Sequence, residues 1–435
     1  MATPPGRTAS RIVARLGTPQ HRTTLYLVLN NATGAAAGFL FWLLLVRVVD
    51  LPPAEVGLGY AIVALGTTIG LVSKGGLDTA LLRSVPGASR PDADRLLGFA
   101  VAVGGLVAVG LCLLLATALH PGGLLPELAT PGWLLVALIA VLLVVTWLQD
   151  AHFLAEGNAR ATFGRNLVFS GARLLLPVPV VFLALPLPVP LTWMVALAAS
   201  AAVGLLLARR HPDRAGRRVP RREFLRSAGR NVTGSAAEFL PGLLLVPIVL
   251  AMGGAEAAGY FAVAWTAASL LFLASAAVGR SALSEMVRRG VASWPGVVRR
   301  GASQAAVLLL PAAVVGALLS PLVMGLFGAD YADAATTAFA LLCLSTVFVA
   351  PAYLYLAVLR AQERPVALVL FPAAMVAVLL VLAPILQASH GLVGVAAAWT
   401  LSNVPFGAWA ANRLWRTSRG VIDHVPPVGG AAHLE

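Results

Sequence analysis

The chain has 435 residues, of which 59% are apolar and 11% charged, with a formal net charge of +13. Soluble domains run at roughly half apolar and about a quarter charged, so this composition describes a polytopic membrane protein and gives no reason to expect a nucleic-acid partner. Strand-like alternation is missing, which argues against a β-barrel and for an all-α chain.

Residues 1–24 are polar, carry Arg7, Arg11, Arg15 and Arg22, and lack a signal-peptide cleavage pattern, so they are predicted to form a cytoplasmic tail. A helix needs about 20 mostly apolar residues to cross the hydrocarbon. Spans of that kind are predicted at 25–48, 55–80, 96–119, 132–149, 163–185 and 190–208, which make a first lobe at 25–208. A basic linker follows at 209–231. Six more spans, at 232–252, 257–279, 302–327, 335–359, 365–387 and 391–411, make a second lobe at 232–411, and a tail runs from 412 to 435.

The positive-inside rule tests the count of twelve, because a missed or invented span would invert every later loop. Loops on the amino-terminal side hold 28 of the 31 basic residues, nine of them in the linker from Arg209 to Arg230. The opposite loops hold acids and histidines such as Asp50, Glu55, His120, Glu127, Glu256, Asp330, Asp333 and His390. Both termini are therefore expected in the cytoplasm. Only Lys74 among the basic residues is a lysine, which with the Ala, Gly and Pro content suggests a GC-rich bacterial genome.

The stretch NATGAAAGFLFWLLLV at 31–46 returns as NVTGSAAEFLPGLLLV at 231–246 with eleven of sixteen positions identical. The same offset pairs Gly59 with Gly259 and Tyr60 with Tyr260. Six spans per copy is an even number, so the copies enter the membrane in the same direction. Such parallel repeats occur in transporters with the substrate between the halves. The copies differ where Gly38 meets Glu238, Phe41 meets Pro241, Trp42 meets Gly242 and Arg47 meets Pro247.

Several local patterns carry structure alone. Cys112 and Cys343 lie in apolar runs with no metal or redox spacing and are read as packing residues. The sequon matches at Asn31 and Asn231 fall at the face where glycosylation does not occur. The pairs Gly34/Gly38 and Gly66/Gly70 have the spacing of close helix packing. The linker arginines fit topology and contact with anionic lipid. No catalytic site, metal site or cofactor is expected, and the chain is read as a non-enzyme.

Three cations remain inside spans: Arg47, Lys74 and Arg173. Arg173 lies deepest, and a charge near the midplane costs about 2.5 to 3.5 kcal/mol on insertion scales, so it requires a wet cavity or a partner. Arg47 sits close enough to a span end to snorkel. Lys74 and Asp78 are one helical turn apart and suited to a mutual ion pair. Glu238, about two turns into the seventh span, is a candidate for a coupling proton or cation, or for pairing with an arginine.

The segments GYAIVALGTTIGLVSKGGLDTALLRSVP and GLFGADYADAATTAFALLCLSTVFVAPAYLYLAVLRAQERP resemble the polysaccharide-exporter branch of the multidrug/oligosaccharidyl-lipid/polysaccharide flippase superfamily. That resemblance implies two six-helix lobes around a central cavity opened alternately to each side. It implies translocation of undecaprenyl-diphosphate-linked oligosaccharide across a bacterial cytoplasmic membrane, for cell-surface polysaccharide biosynthesis. Arg173, Arg47 and Lys74 are then the cations that would hold the diphosphate. Partners would be the lipid-linked oligosaccharide, membrane lipids, and glycosyltransferases or a polymerase of the same pathway. Two other readings stay open: a multidrug/cation antiporter using Glu238, and a non-transporting scaffold of an envelope-assembly complex.

Overall fold

The computed structural model describes residues 19–119, 128, 130–208, 216–231 and 236–421. Among the described residues its regular elements are all helices, apart from one isolated β-bridge, Ala88 with Arg217. The first six spans use α1 (Pro19–Arg47), α2 (Pro53–Lys74), the short α3 (Leu77–Ser84), α4 (Arg90–Leu119), α5 (Thr130–Ala155), α6 (Ala159–Leu175), α7 (Pro177–Phe182) and α8 (Pro188–Ala208). The described part of the linker holds α9 (Arg221–Asn231). The second half uses α10 (Ala236–Arg289), α11 (Trp294–Leu318), α12 (Ser320–Gly325), α13 (Ala329–Ala361) and α14 (Pro365–Ser418).

Ten helices among the described residues are long and apolar enough to cross a membrane. Two of them, α10 and α14, run to 54 residues each, more than twice what one crossing needs. Each contains one glycine off the helical conformation: Gly254 at φ 79° in α10 and Gly391 at φ 55° in α14. A positive φ costs glycine little because it has no Cβ. The chain turns at these two points, so each long helix supplies two spans and the total is twelve. The protein is a multi-pass, all-α membrane protein.

Two expected spans end differently from the hydropathy pattern. The second was expected to reach residue 80, but α2 stops at Lys74, Gly75 takes φ 46°, and Leu77–Ser84 forms its own short helix. Paired glycines at 75 and 76 lower helix propensity where the apolar run continues. The fifth divides at Pro177 into α6 and α7, because proline has no N–H to give the carbonyl four residues back, which belongs to Arg173.

The described chain forms two compact units. The first contains α1, α2 from Leu65 onward, and α3 through α9. Its packed core gathers Leu77, Leu81, Val85 and Ala88 around α3, Leu96 and Ala100 of α4, Val144 and Leu148 of α5, and Phe224 and Ala228 of α9. In lipid there is no hydrophobic force between spans, so close van der Waals fit decides which faces meet. Gly66 and Gly70 accordingly lie against Ile139 and Ala140 of α5. The Gly34/Gly38 pair does not pack this way: space beside Gly34 is open, and the nearest neighbour of Gly38 is the Arg173 guanidinium.

The second unit contains Asp50–Ala64 and α10 through α14. One core there joins Met286 of α10, Trp294 and Val298 of α11, Leu354 and Leu359 of α13, and Phe371 and Leu414 of α14. The first turns of α2 cross the second half of α10, the helix that holds the same place in the second copy. A Cβ on Gly259 would overlap the carbonyl of Pro53, and one on Gly57 would overlap Ala255 and Gly259. Gly259→Ala is expected to cost about 1–3 kcal/mol through overpacking and to lower the melting temperature of the purified protein. Gly98→Ala, where nothing lies within 4 Å, should leave it unchanged or slightly raised.

Candidate functional site

Arg173 sits in the last turn of α6, fourteen residues from Ala159 and so about 21 Å along the helix. Its side chain is buried, at 5% exposure. Three aromatic rings from three helices surround the guanidinium: Phe169 of α6 at 4.9 Å, Trp193 of α8 at 5.1 Å and Phe41 of α1 at 5.6 Å to the ring centroids. Trp193 meets Phe169 edge-on at 5.4 Å and Phe41 at 6.3 Å, so the rings brace one another. Nη2 donates to the Gly34 carbonyl at 3.4 Å, and Gly38, lacking a side chain, leaves room for the same group.

Among the described residues Arg173 has no carboxylate partner. Nε of Arg173 and Nε1 of Trp193 are both buried N–H groups without an acceptor there. A desolvated cation–π contact contributes about 2 kcal/mol. Three such faces offset the roughly 2.5 to 3.5 kcal/mol insertion cost of a mid-membrane arginine. The cage therefore keeps a full positive charge and spare donors, where an ion pair would cancel both.

The other predicted cations lie in different surroundings. Lys74 pairs with Asp78 at 2.5 Å and stands over the Trp147 ring at 5.6 Å. Asp78 also accepts from the backbone N–H of Thr79 at 2.7 Å. No described contact joins this pair to Arg173. Arg47 is exposed at the last residue of α1, six positions beyond Phe41. Glu238 falls near the start of α10, and its side chain lies outside the described residues.

Two arginines counted as loop cations turn out to be buried. Arg165 grips Asp150 of α5 with Nε at 3.1 Å and Nη2 at 2.6 Å, and its Nη1 donates to Ser200 Oγ of α8 at 2.8 Å. Arg90 lies between Asp94 at 3.0 Å and Glu156 at 3.4 Å and donates to the Ala208 carbonyl. His152, fully buried, stands 3.6 Å from Glu156 and 3.9 Å from Asp94. These groups tie α4, α5, α6 and α8 together at their arginine-bearing ends. Asp150, fifteen residues ahead of Arg165, was the available signal, but its hydropathic context is that of a span end.

Removing one member of a buried pair strands the other charge. Arg165→Met is expected to destabilise the protein by about 3 kcal/mol. Adding Asp150→Leu should recover most of that loss, both read from thermal melts in detergent.

No protein-family model matches the sequence, nor does any curated protein. Solved structures do match. A multidrug resistance MATE family transporter of the MOP superfamily, in an inward-facing conformation, has a TM-score of 0.70 at 15% identity, over 90% of this chain and 96% of its own. The lipid II flippase MurJ, inward closed, has a TM-score of 0.70 at 10% identity, over 92% and 90%. The Vibrio cholerae MATE transporter VcmN has a TM-score of 0.58 at 16% identity, over 90% and 98%. The chain thus has the fold of MOP-superfamily transporters. At these identities the likeness is one of fold.

Proposed function

We propose that the protein is a flippase that moves undecaprenyl-diphosphate-linked oligosaccharide across a bacterial cytoplasmic membrane by alternating access, serving cell-surface polysaccharide synthesis. The observation that carries this reading is the caged Arg173. Its charge has no counter-ion among the described residues, and its Nε and the Trp193 Nε1 both need an acceptor. A diphosphate supplies negative charge and several acceptor oxygens at once, and the guanidinium fork suits phosphate geometry. Flat aromatic surfaces beside it suit the apolar faces of sugar rings as well. Arg47 is the next cation along α1, and Lys74 is an accessory that would have to exchange Asp78 for phosphate. Glycosyltransferases or a polymerase of the same pathway are the protein partners in this reading.

A second reading, multidrug/cation antiport, rests on the likeness to the MATE transporter, whose TM-score equals that of MurJ. It assigns coupling to Glu238. Purified protein reconstituted with a fluorescent undecaprenyl-diphosphate sugar separates the two. Wild type should translocate the lipid, Arg173→Met should reduce the rate at least tenfold with unchanged melting temperature, and Arg173→Lys should fall between them because an ammonium lacks the planar fork. Absence of translocation, together with ion-driven drug efflux abolished by Glu238→Gln, would replace the flippase reading with the antiporter.

A further inference from the structure

The linker segment that follows the sixth span is built onto the first unit, and it completes a basic groove that the caged arginine does not use. Backbone bonds pair it with the loop after α3: Arg217 N donates to Gly87 O at 3.0 Å and Ser89 N to Arg217 O at 3.4 Å. Four residues later α9 begins. Phe224 is wholly buried and Ala228 nearly so, one turn apart on the face that enters the core beside α3 and α4. Arg218, Arg221, Arg222 and Arg226 stay exposed.

Between this segment and the start of α4 lies a groove of about 720 Å³ lined by Asp92, Arg95, Phe99, Arg218, Arg221 and Arg222, among others. Four guanidinium groups face one carboxylate there. Asp92 is engaged by Arg95 at 3.4 Å and by Ser89 Oγ at 3.0 Å. Arg221 is held over the Phe99 ring at 5.0 Å. Glu223, the nearest acid on α9, pairs with Arg217 at 3.1 Å. Arg218 and Arg222 have no carboxylate partner among the described residues, so the groove keeps an excess of positive charge.

One wall of the groove leads into the hydrocarbon-facing surface. Arg95 and Phe99 open a single helical face of α4 that continues through Ala102, Leu106, Val109 and Leu113 at steps of three and four residues. Leu106 is 75% and Leu113 62% exposed. A phosphate with apolar chains attached can place its head among the arginines and its chains along this stripe. A soluble phosphate would leave the stripe without a role.

We propose that this groove, formed by the start of α4 and residues 218–222 of the linker, binds the phosphate headgroup of an anionic membrane phospholipid. Basic pockets beside spans recognise such headgroups by charge and by guanidinium hydrogen bonds. The site is separate from the Arg173 cage and does not depend on the substrate reading.

Full-length protein in neutral detergent is titrated with phosphatidylglycerol, phosphatidylcholine and inorganic phosphate, with binding read by native mass spectrometry and by the lipid-induced rise in melting temperature. Phosphatidylglycerol should bind and stabilise, and the other two should not. Arg218→Gln/Arg222→Gln should weaken phosphatidylglycerol binding at least fivefold. The charge-matched control Arg226→Gln/Arg288→Gln, outside the groove, should change it less than twofold. Should the first double variant misfold, the single variants Arg218→Gln and Arg222→Gln carry the test, each expected to weaken binding at least twofold. Equal loss in both double variants would reduce the effect to diffuse surface charge and overturn the proposal. Binding of inorganic phosphate alone at comparable strength, or no selectivity for phosphatidylglycerol over phosphatidylcholine, would overturn it too.

Discussion

A charge inside an apolar bundle must be answered by something, and in this chain the answers differ from site to site. Lys74 is answered by Asp78 on the next short helix. Arg165 is answered by Asp150 with two hydrogen bonds and by Ser200. Arg90 is answered by two acids and a carbonyl. Among the described residues Arg173 alone of these is answered without a carboxylate, by aromatic faces and one long hydrogen bond. Carboxylate partners neutralise a cation and turn it into a strut. Ring quadrupoles stabilise a cation and leave its charge in place. That difference separates the arginines that hold the helices together from the one suited to meet an anion.

The internal repeat shows how such a site arises on a duplicated frame. Asn, Thr, Gly and Phe positions recur between 31–46 and 231–246, so the helical frame is common to both copies. The cage uses Gly34, Gly38 and Phe41, of which only Gly34 has an identical counterpart. Glu238 stands where Gly38 makes room for a guanidinium, and Pro241 stands where Phe41 supplies a ring face. Placing a carboxylate and a proline at those points in the second copy rules out an identical cage there. The asymmetry is chemical, and it lies on an otherwise repeated scaffold.

Packing follows the rules of a lipid solvent. Large apolar side chains such as Leu106 and Leu318, at 75% and 74% exposure, point outward without cost because lipid is as apolar as they are. Small residues sit where helices approach closely, at Gly66, Gly70 and Gly259. The linker helix α9 obeys the opposite rule. It is amphipathic, buries Phe224 beside α3, and leaves Arg221, Arg222 and Arg226 on the outside. Part of the linker thus belongs to the core of the first unit as well as connecting two halves.

The number of spans, the all-helical class and the two-copy plan were legible in the sequence, because backbone in hydrocarbon must bond within its own helix and needs about 20 apolar residues to do so. Arg173 also stood out in the sequence as a charge in the wrong solvent, and the Lys74–Asp78 pair was readable from its four-residue separation, although the chain closes it across the break at Gly75 and Gly76 and not within one helix. The sequence could not show that Phe41, Phe169 and Trp193 would meet around Arg173, since they come from three helices and an aromatic residue in a span carries no mark of its neighbours. Nor could it show that Arg90 and Arg165 are buried, because Glu156, Asp150 and the Ala208 carbonyl reach them from other segments and the arginines resemble loop cations by position. Local periodicity decides which segments become helices. Only the packing of helices far apart in sequence decides which charges cancel and which remain.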